Sequence, residues 1–349
     1  METLWFVLVA VMVAMYVLLD GFDLGAGAIH FFVARTSEER RQVIASIGPV
    51  WDGNEVWLLA GGGCLYFAFP ALYASGFSGF YLPLMIVLWL LILRGTAVEF
   101  RNHIQSPVWI PFWDFVFFIA SSLLAVFFGA ALGNVVRGVP LDQTGYFFEP
   151  LWTNFRLSDH TGILDWFTIL VGVQALLALM MHGGLWVQLK THGAVSERAG
   201  EVAGTVWWGV LVTTAVVTGA AFVIQPQVIA NFHRWPAGYV LPLLAVAGFA
   251  AVRFELHRKN QRGAFLASCT YFLGMLTSVV FGVYPMVLPA RNPAFHLTVQ
   301  NAKAPDYGLK IGVIWWVIGM ALATVYFVYV YRSFAGKVSE SHDSSGYGG

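Results

Sequence analysis

Charge is what this 349-residue chain lacks most. Asp, Glu, Lys and Arg make up 11 % of it, where soluble domains carry about 25 %. The 19 basic and 19 acidic residues cancel, so no basic surface points to a nucleic-acid partner. Cysteine is nearly absent. Cys64 and Cys269 fall in separate apolar runs, which excludes a disulfide framework and a zinc site and leaves them as small buried residues. Of nine histidines only His182 lies clearly inside an apolar segment, beside Met180 and Met181. No second histidine pairs with it at matched depth, so it reads as a hydrogen-bonded structural residue rather than a haem or metal ligand. The chain has no CxxCH, GxxxxGKS or HExxH motif, which leaves covalent haem, P-loop and zincin chemistry without support. There is no convincing internal repeat.

Apolar residues are plentiful, at 58 % of the chain with a mean hydropathy of +0.70. That composition implies an all-α, polytopic integral membrane protein. With about 20 apolar residues needed per crossing, nine spans are expected, at 4–33, 47–71, 77–99, 111–134, 163–189, 203–224, 237–256, 264–288 and 309–332. Residues 1–332 form the membrane domain. Residues 333–349, polar and rich in Ser and Gly, are expected to be a disordered tail. Leu4 to Leu19 could pass for a signal-peptide core, but the start is acidic (Glu2), and Asp20 and Asp23 interrupt the approach to Ala26-Gly27-Ala28. The segment reads as a retained first helix.

The loops differ in charge. One side collects Arg35, Arg40, Arg41, Arg101, Lys190, Arg198, Arg253, Arg258, Lys259, Arg262, Arg332 and Lys337. The other has Arg137, Arg156, Arg234, Arg291, Lys303 and Lys310, and Arg94 lies within a span. By the positive-inside rule the first side is cytoplasmic, with the N-terminus outside and the C-terminus inside. Short connections make neighbouring helices antiparallel, suited to helical bundles.

Orientation then gives the in-membrane charges a depth. Asp20 and Asp23 lie in the cytoplasmic half of the first helix. Asp52 and Glu55 lie one to two turns above that face on the second, between Trp51 and Trp57, and Arg94 and Glu99 reach the same level on the third. Six ionisable groups are therefore expected to converge at one depth. A central charge costs about 2.5–3.5 kcal/mol on insertion scales, so chains keep such groups where they meet water, a counter-charge or a cofactor. Each acid pair is spaced by three and shares a helix face. Repulsion and burial together set one acid of a pair to hold a proton near neutral pH, which is what a relay needs. Arg94 and Glu99, five apart, do not share a face, so Arg94 is expected to answer an acid on another helix. Structural readings stand beside these: backbone bonding at a local break for Asp20 and Asp23, an N-terminal cap for Asp52, and a surface ion pair of Glu99 with Arg101.

At these residues the sequence resembles subunit II of the cytochrome bd quinol oxidases, including the cyanide-insensitive branch. The likeness rests on LLDGFDLG at 18–25, GPVWDGNEVWLL at 48–59, FSGFYLPL at 77–84 and LRGTAVEFR at 93–101. The resemblance implies two four-helix bundles plus one extra helix, in the bacterial plasma membrane. It implies pairing with subunit I, which carries the b and d haems and the quinol-oxidising loop, with a small accessory subunit as a further partner. It also implies quinol oxidation coupled to reduction of oxygen to water, lipid around the helices, and in some members a quinone held in subunit II. Asp23, Asp52 and Arg94 match family positions assigned to proton uptake or to holding haem propionates. Extension to Asp20, Glu55 and Glu99 follows from position, with Trp51 and Trp57 as interface or haem-proximal residues and no metal ligands. Two alternatives remain: a subunit that only stabilises its partner, and a proton-coupled secondary transporter.

Overall fold

The computed structural model describes residues 1–158 and 161–338. It is mostly helical. In chain order the helices are α1 (Glu2–Val33), α2 (Ser37–Ile47), α3 (Trp51–Ala68), α4 (Pro70–Gly79), α5 (Tyr81–Phe100), α6 (Trp109–Arg137), α7 (Trp166–Lys190), α8 (Gly193–Ile224), α9 (Pro226–Arg234), α10 (Val240–His257), α11 (Gln261–Val283) and α12 (Asp306–Ser333). A two-stranded antiparallel ribbon, β1 (Met286–Leu288) with β2 (Leu297–Thr298), lies in the loop before α12.

Eight helices of the described chain are long and apolar enough to cross a membrane: α1, α5, α6, α7, α8, α10 with its preceding turn, α11 and α12. The segment expected as the second span falls outside those eight. It is divided, because α2 ends at Ile47, α3 begins at Trp51 and Pro70 starts α4. Proline has no N–H to continue the α3 ladder and is preset for a helical first turn. What remains of that span is an 18-residue helix with Asp52 in its first turn.

The core forms around α1, which packs against α3, α6, α7 and α11. Every residue from Asp20 to His30 is buried, and this glycine-rich stretch owes its place to its small side chains. A Cβ on Gly25 would collide with the Leu179 carbonyl, and one on Gly183 with the Gly25 backbone, so α1 and α7 touch main chain to main chain.

Both ends are pinned by ion pairs and caps. At the end rich in Lys and Arg, Thr36 and Glu39 form a capping box on α2, and Arg198 of α8 donates to Glu39 at 2.6 Å. At the opposite end the buried Arg137 meets Glu149 (3.0 Å) and Asp165, and Arg291 reaches the same Glu149. Asp165 also caps α7, accepting from Phe167 N (2.7 Å) and Thr168 N (3.1 Å). Beyond α12, Val338 N donates to the Lys190 carbonyl at 2.8 Å, so the described start of the expected tail lies along the end of α7. Residues 339–349 are outside the described residues.

Candidate functional site: an acidic cluster on one guanidinium

Three helices bring four charged side chains together near the basic end. Arg94 of α5, 1 % exposed, donates through Nη1 to Asp20 Oδ1 of α1 at 2.6 Å and through Nη2 to Glu55 Oε2 of α3 at 2.8 Å. The planar guanidinium presents several donors at fixed angles and so bridges two carboxylates on different helices. Asp20 and Asp23, one turn apart on α1, are fully buried, while the Glu55 side chain is 25 % exposed. Asp23 is held from the other side. Asn54 Nδ2 donates to Asp23 Oδ2 at 2.8 Å, and Tyr331 Oη of α12 donates to Asn54 Oδ1 at 2.8 Å. Asp20 Oδ2 and Asp23 Oδ1 accept no hydrogen bond within the described chain.

The expected meeting of six charges is therefore a meeting of four. Asp52 stands exposed in the first turn of α3 and makes no side-chain cap. Because α3 starts at Trp51, Asp52 sits at the helix end, while Glu55, a turn deeper, reaches across to Arg94. Glu99 is half-buried in the last turn of α5, away from the Arg94 pairs. Its expected partner Arg101 is buried and turned to Asp114 instead, at 2.6 Å. Trp51 and Trp57 are both buried, with no hydrogen bond to either indole N–H. The Trp51 ring lies over Gly95, and Trp57 faces Phe327 at 5.5 Å.

Sequence reasoning passed over several participants. Asn54 and Tyr331 are neutral, so insertion cost did not mark them, although Asn54 stands between the two acids of WDGNEVW. Asp114 was detectable, since it lies inside the expected 111–134 span. It anchors a second buried node, accepting from Arg101 and lying 3.0 Å from His30 Nε2 and 3.5 Å from Arg40 Nη1. Arg101 Nη2 also donates to the Ser37 carbonyl at 3.1 Å, which ties α5 and α6 to the α1–α2 corner.

Residues 1–334 match the family model described as cytochrome bd terminal oxidase subunit II. The chain belongs to that family. It is 31 % identical to the probable cytochrome oxidase subunit 2 of Haemophilus influenzae, with 96 % of this chain and 94 % of that protein covered. It is 32 % identical to the cytochrome bd ubiquinol oxidase subunit 2 of Bacillus subtilis, covering 89 % of each. For the bd-I ubiquinol oxidase subunit 2 of Escherichia coli K12 the identity is 27 %, over 97 % of this chain and 95 % of that one. The solved bd oxidase of Geobacillus thermodenitrificans shares the fold, with a TM-score of 0.75 at 16 % identity, over 96 % of this chain and 98 % of that one.

As a bd-family subunit II, the chain is a multi-pass membrane protein of a terminal oxidase, and its buried histidines already have partners. His182 contacts Ser268 Oγ (2.7 Å) and the Leu18 carbonyl (3.0 Å), so both ring nitrogens are engaged, and its ring stacks on Phe265. His30 is turned to Asp114. Among the described residues no group of three or more His, Cys, Asp or Glu could hold a metal ion. Arg94 has both terminal nitrogens on carboxylates, and only its Nε is left without a partner.

Proposed function

We propose that this subunit II pairs with subunit I of a cytochrome bd quinol oxidase and supplies its cytoplasmic proton-uptake route. The b and d haems of the partner supply the redox chemistry, oxidation of quinol coupled to four-electron reduction of oxygen to water. This chain supplies carboxylates that hold and pass protons. The basic end faces the cytoplasm, α3 is the ninth crossing, and the helices group as two four-helix bundles plus one. A quinone held by this subunit, lipid and a small accessory subunit complete the assembly in the bacterial plasma membrane.

One observation carries the reading. Asp20 and Glu55 share a single guanidinium, and Asp23, one turn from Asp20, is held only by the neutral Asn54. Two unit charges 4 Å apart interact by about 4 kcal/mol at an effective dielectric constant near 20. Three carboxyl groups thus face one cation, two of them fully buried and Glu55 partly exposed, so the cluster offers more proton-holding groups than counter-charges. The unpartnered oxygens Asp23 Oδ1 and Asp20 Oδ2 are open to a bridging water. Glu55, partly exposed, and Asp52, exposed, extend the carboxylates to the outer surface of α3. Glu99 lies at the basic end as a feeder. A continuous pore would discharge the membrane, at about 2.3 kcal/mol per charge per 100 mV. A discontinuous set of carboxyls, bridged only when protonated, avoids this.

Asp23→Asn, in a complex that assembles with its full haem content, tests the route. Oxygen consumption should fall by roughly a hundredfold, the scale of losing a proton-transfer group. Asp52→Asn, at the exposed end, should slow turnover less. Unchanged turnover in both would leave the Asp20–Arg94–Glu55 bridge as a brace between α1, α3 and α5, and the subunit as a purely structural partner.

A further inference from the structure

At the basic end, the ends of α7 and α12, the start of α11 and the α2–α3 corner enclose a cavity of about 860 Å³. Its walls are aromatic where Trp186, Phe265 and Tyr331 line it. Lys190, Arg262, Arg332 and Lys337 also line it, and among the described residues no acidic side chain does. Lys190 Nζ donates to the Phe334 carbonyl at 2.6 Å and sits 5.5 Å over the Trp186 ring. Lys337 Nζ donates to the Thr191 carbonyl at 2.7 Å. None of the four cations has a carboxylate partner among the described residues.

Positive loops are ordinary on this side of a membrane protein. That rule accounts for the charges, but not for their gathering around one concave, aromatic-walled space with no carboxylate among the described residues beside them. The chain builds the enclosure itself, since Phe334 to Val338 fold back along α7 to form one wall. We propose that this cavity binds a phosphate group carried on an apolar body. Arg262 and Arg332 would grip phosphate oxygens through charge-assisted bonds, Lys190 and Lys337 would add point charges, and the rings would cover the apolar part. The cavity lies at helix ends, so the phosphate arrives either as an anionic phospholipid headgroup or as an ester from solution. Tyr331 lines the cavity and also donates to Asn54, which puts an occupant one side chain from the Asp23 support. The binding itself does not depend on the proton route.

The test uses the assembled oxidase complex in bilayers of phosphatidylcholine, alone or doped with phosphatidylglycerol. Native mass spectrometry should count one more phosphatidylglycerol retained by the wild type than by Arg262→Gln/Arg332→Gln. Retention without displacement by inorganic pyrophosphate assigns the phosphate to lipid. Calorimetric binding of pyrophosphate in pure phosphatidylcholine, about tenfold weaker in the double variant, assigns it to a soluble ester. Lys337→Gln, on the terminal wall, should weaken binding without touching a helix, which covers failure of the double variant to fold. Asp23→Asn should bind as the wild type does, separating this site from the proton reading. Equal retention and equal pyrophosphate binding in wild type and variants would overturn the proposal. So would a chain ending at Val338 that gains binding the full chain lacks, because Glu340 and Asp343 would then be the occupants.

Discussion

Removing one member of a buried charge cluster differs from removing an isolated charge, because the partners stay behind. Asp114 has zero exposure and serves Arg101, His30 and Arg40. Asp114→Ala would leave the buried Arg101 without its anion, a loss of about 3–5 kcal/mol. The expected result is a lower unfolding temperature of the complex, followed by tryptophan fluorescence, while turnover per assembled complex is unchanged. Arg94 should behave differently. Lysine keeps the charge but has no fork to span Asp20 and Glu55. Arg94→Lys is therefore expected to assemble and to lose turnover by roughly tenfold or more, whereas Arg94→Gln, which leaves three carboxylates and no cation, should lower the yield of complex itself. Equal yields for the two would show that the positive charge at position 94 does not decide assembly.

Among the elements, the α1–α7 contact is the one that tolerates least. Gly25→Ala or Gly183→Ala drives a methyl into the facing backbone. Backbone cannot rotate aside as a side chain can, so the cost is at the upper end of the roughly 1–3 kcal/mol typical of overpacking, and little assembled complex should be recovered. Gly62→Ala, with open space around it, is the matched control and should express normally. The sequence revealed these elements unevenly, for physical reasons. Where a helix is apolar over most of its length and its charges sit near the ends, the expected spans agree closely, as with 111–134 against Trp109–Arg137 and 309–332 against Asp306–Ser333. α8 begins at Gly193, ten residues before its expected start, because its first turns carry Glu197, Arg198 and Glu201, and hydropathy registers only the length that lipid would cover. α3 was merged with its flanks because a sum over apolar residues does not register the restart at Pro70. Asp20, Asp23 and Glu55 were legible as candidates through their cost in a membrane, but the spacing of three that joined Asp52 to Glu55 did not show that Asp52 stands apart at the exposed start of α3. Their partners Asn54 and Tyr331, 277 residues apart, were not legible, since neither carries a charge and only the fold brings them together.

At the scale of the whole molecule, the end opposite the basic one is closed in part by long connections stitched to each other. Val139 N donates to Pro289 O and Arg291 N to Val139 O, joining the loop after α6 to the loop before α12. Within the second loop, Ala290 N donates to His296 Nδ1 at 2.8 Å, and Asn301 Nδ2 donates to the His296 carbonyl at 2.9 Å. His296 must be unprotonated at Nδ1 to accept that bond, and burial holds its pKa below the ordinary value of 6.5. The sign follows from linkage. Above pH 6.5 neither the closed nor the opened loop carries the proton, and the joint has its full stability. As the pH falls below 6.5 the opened loop binds a proton that the closed loop refuses, so opening becomes progressively easier until the folded pKa is passed. Hydrogen exchange, corrected for the intrinsic rate, should show falling protection at Ala290 and along Met286–Leu288 between pH 7 and pH 5. His296→Gln, which has no group titrating in that range, should abolish the trend. A flat profile in the wild type would mean that the Arg137–Glu149–Arg291 ion pairs alone hold the two loops together, and that His296 is a bystander at a joint made by charge.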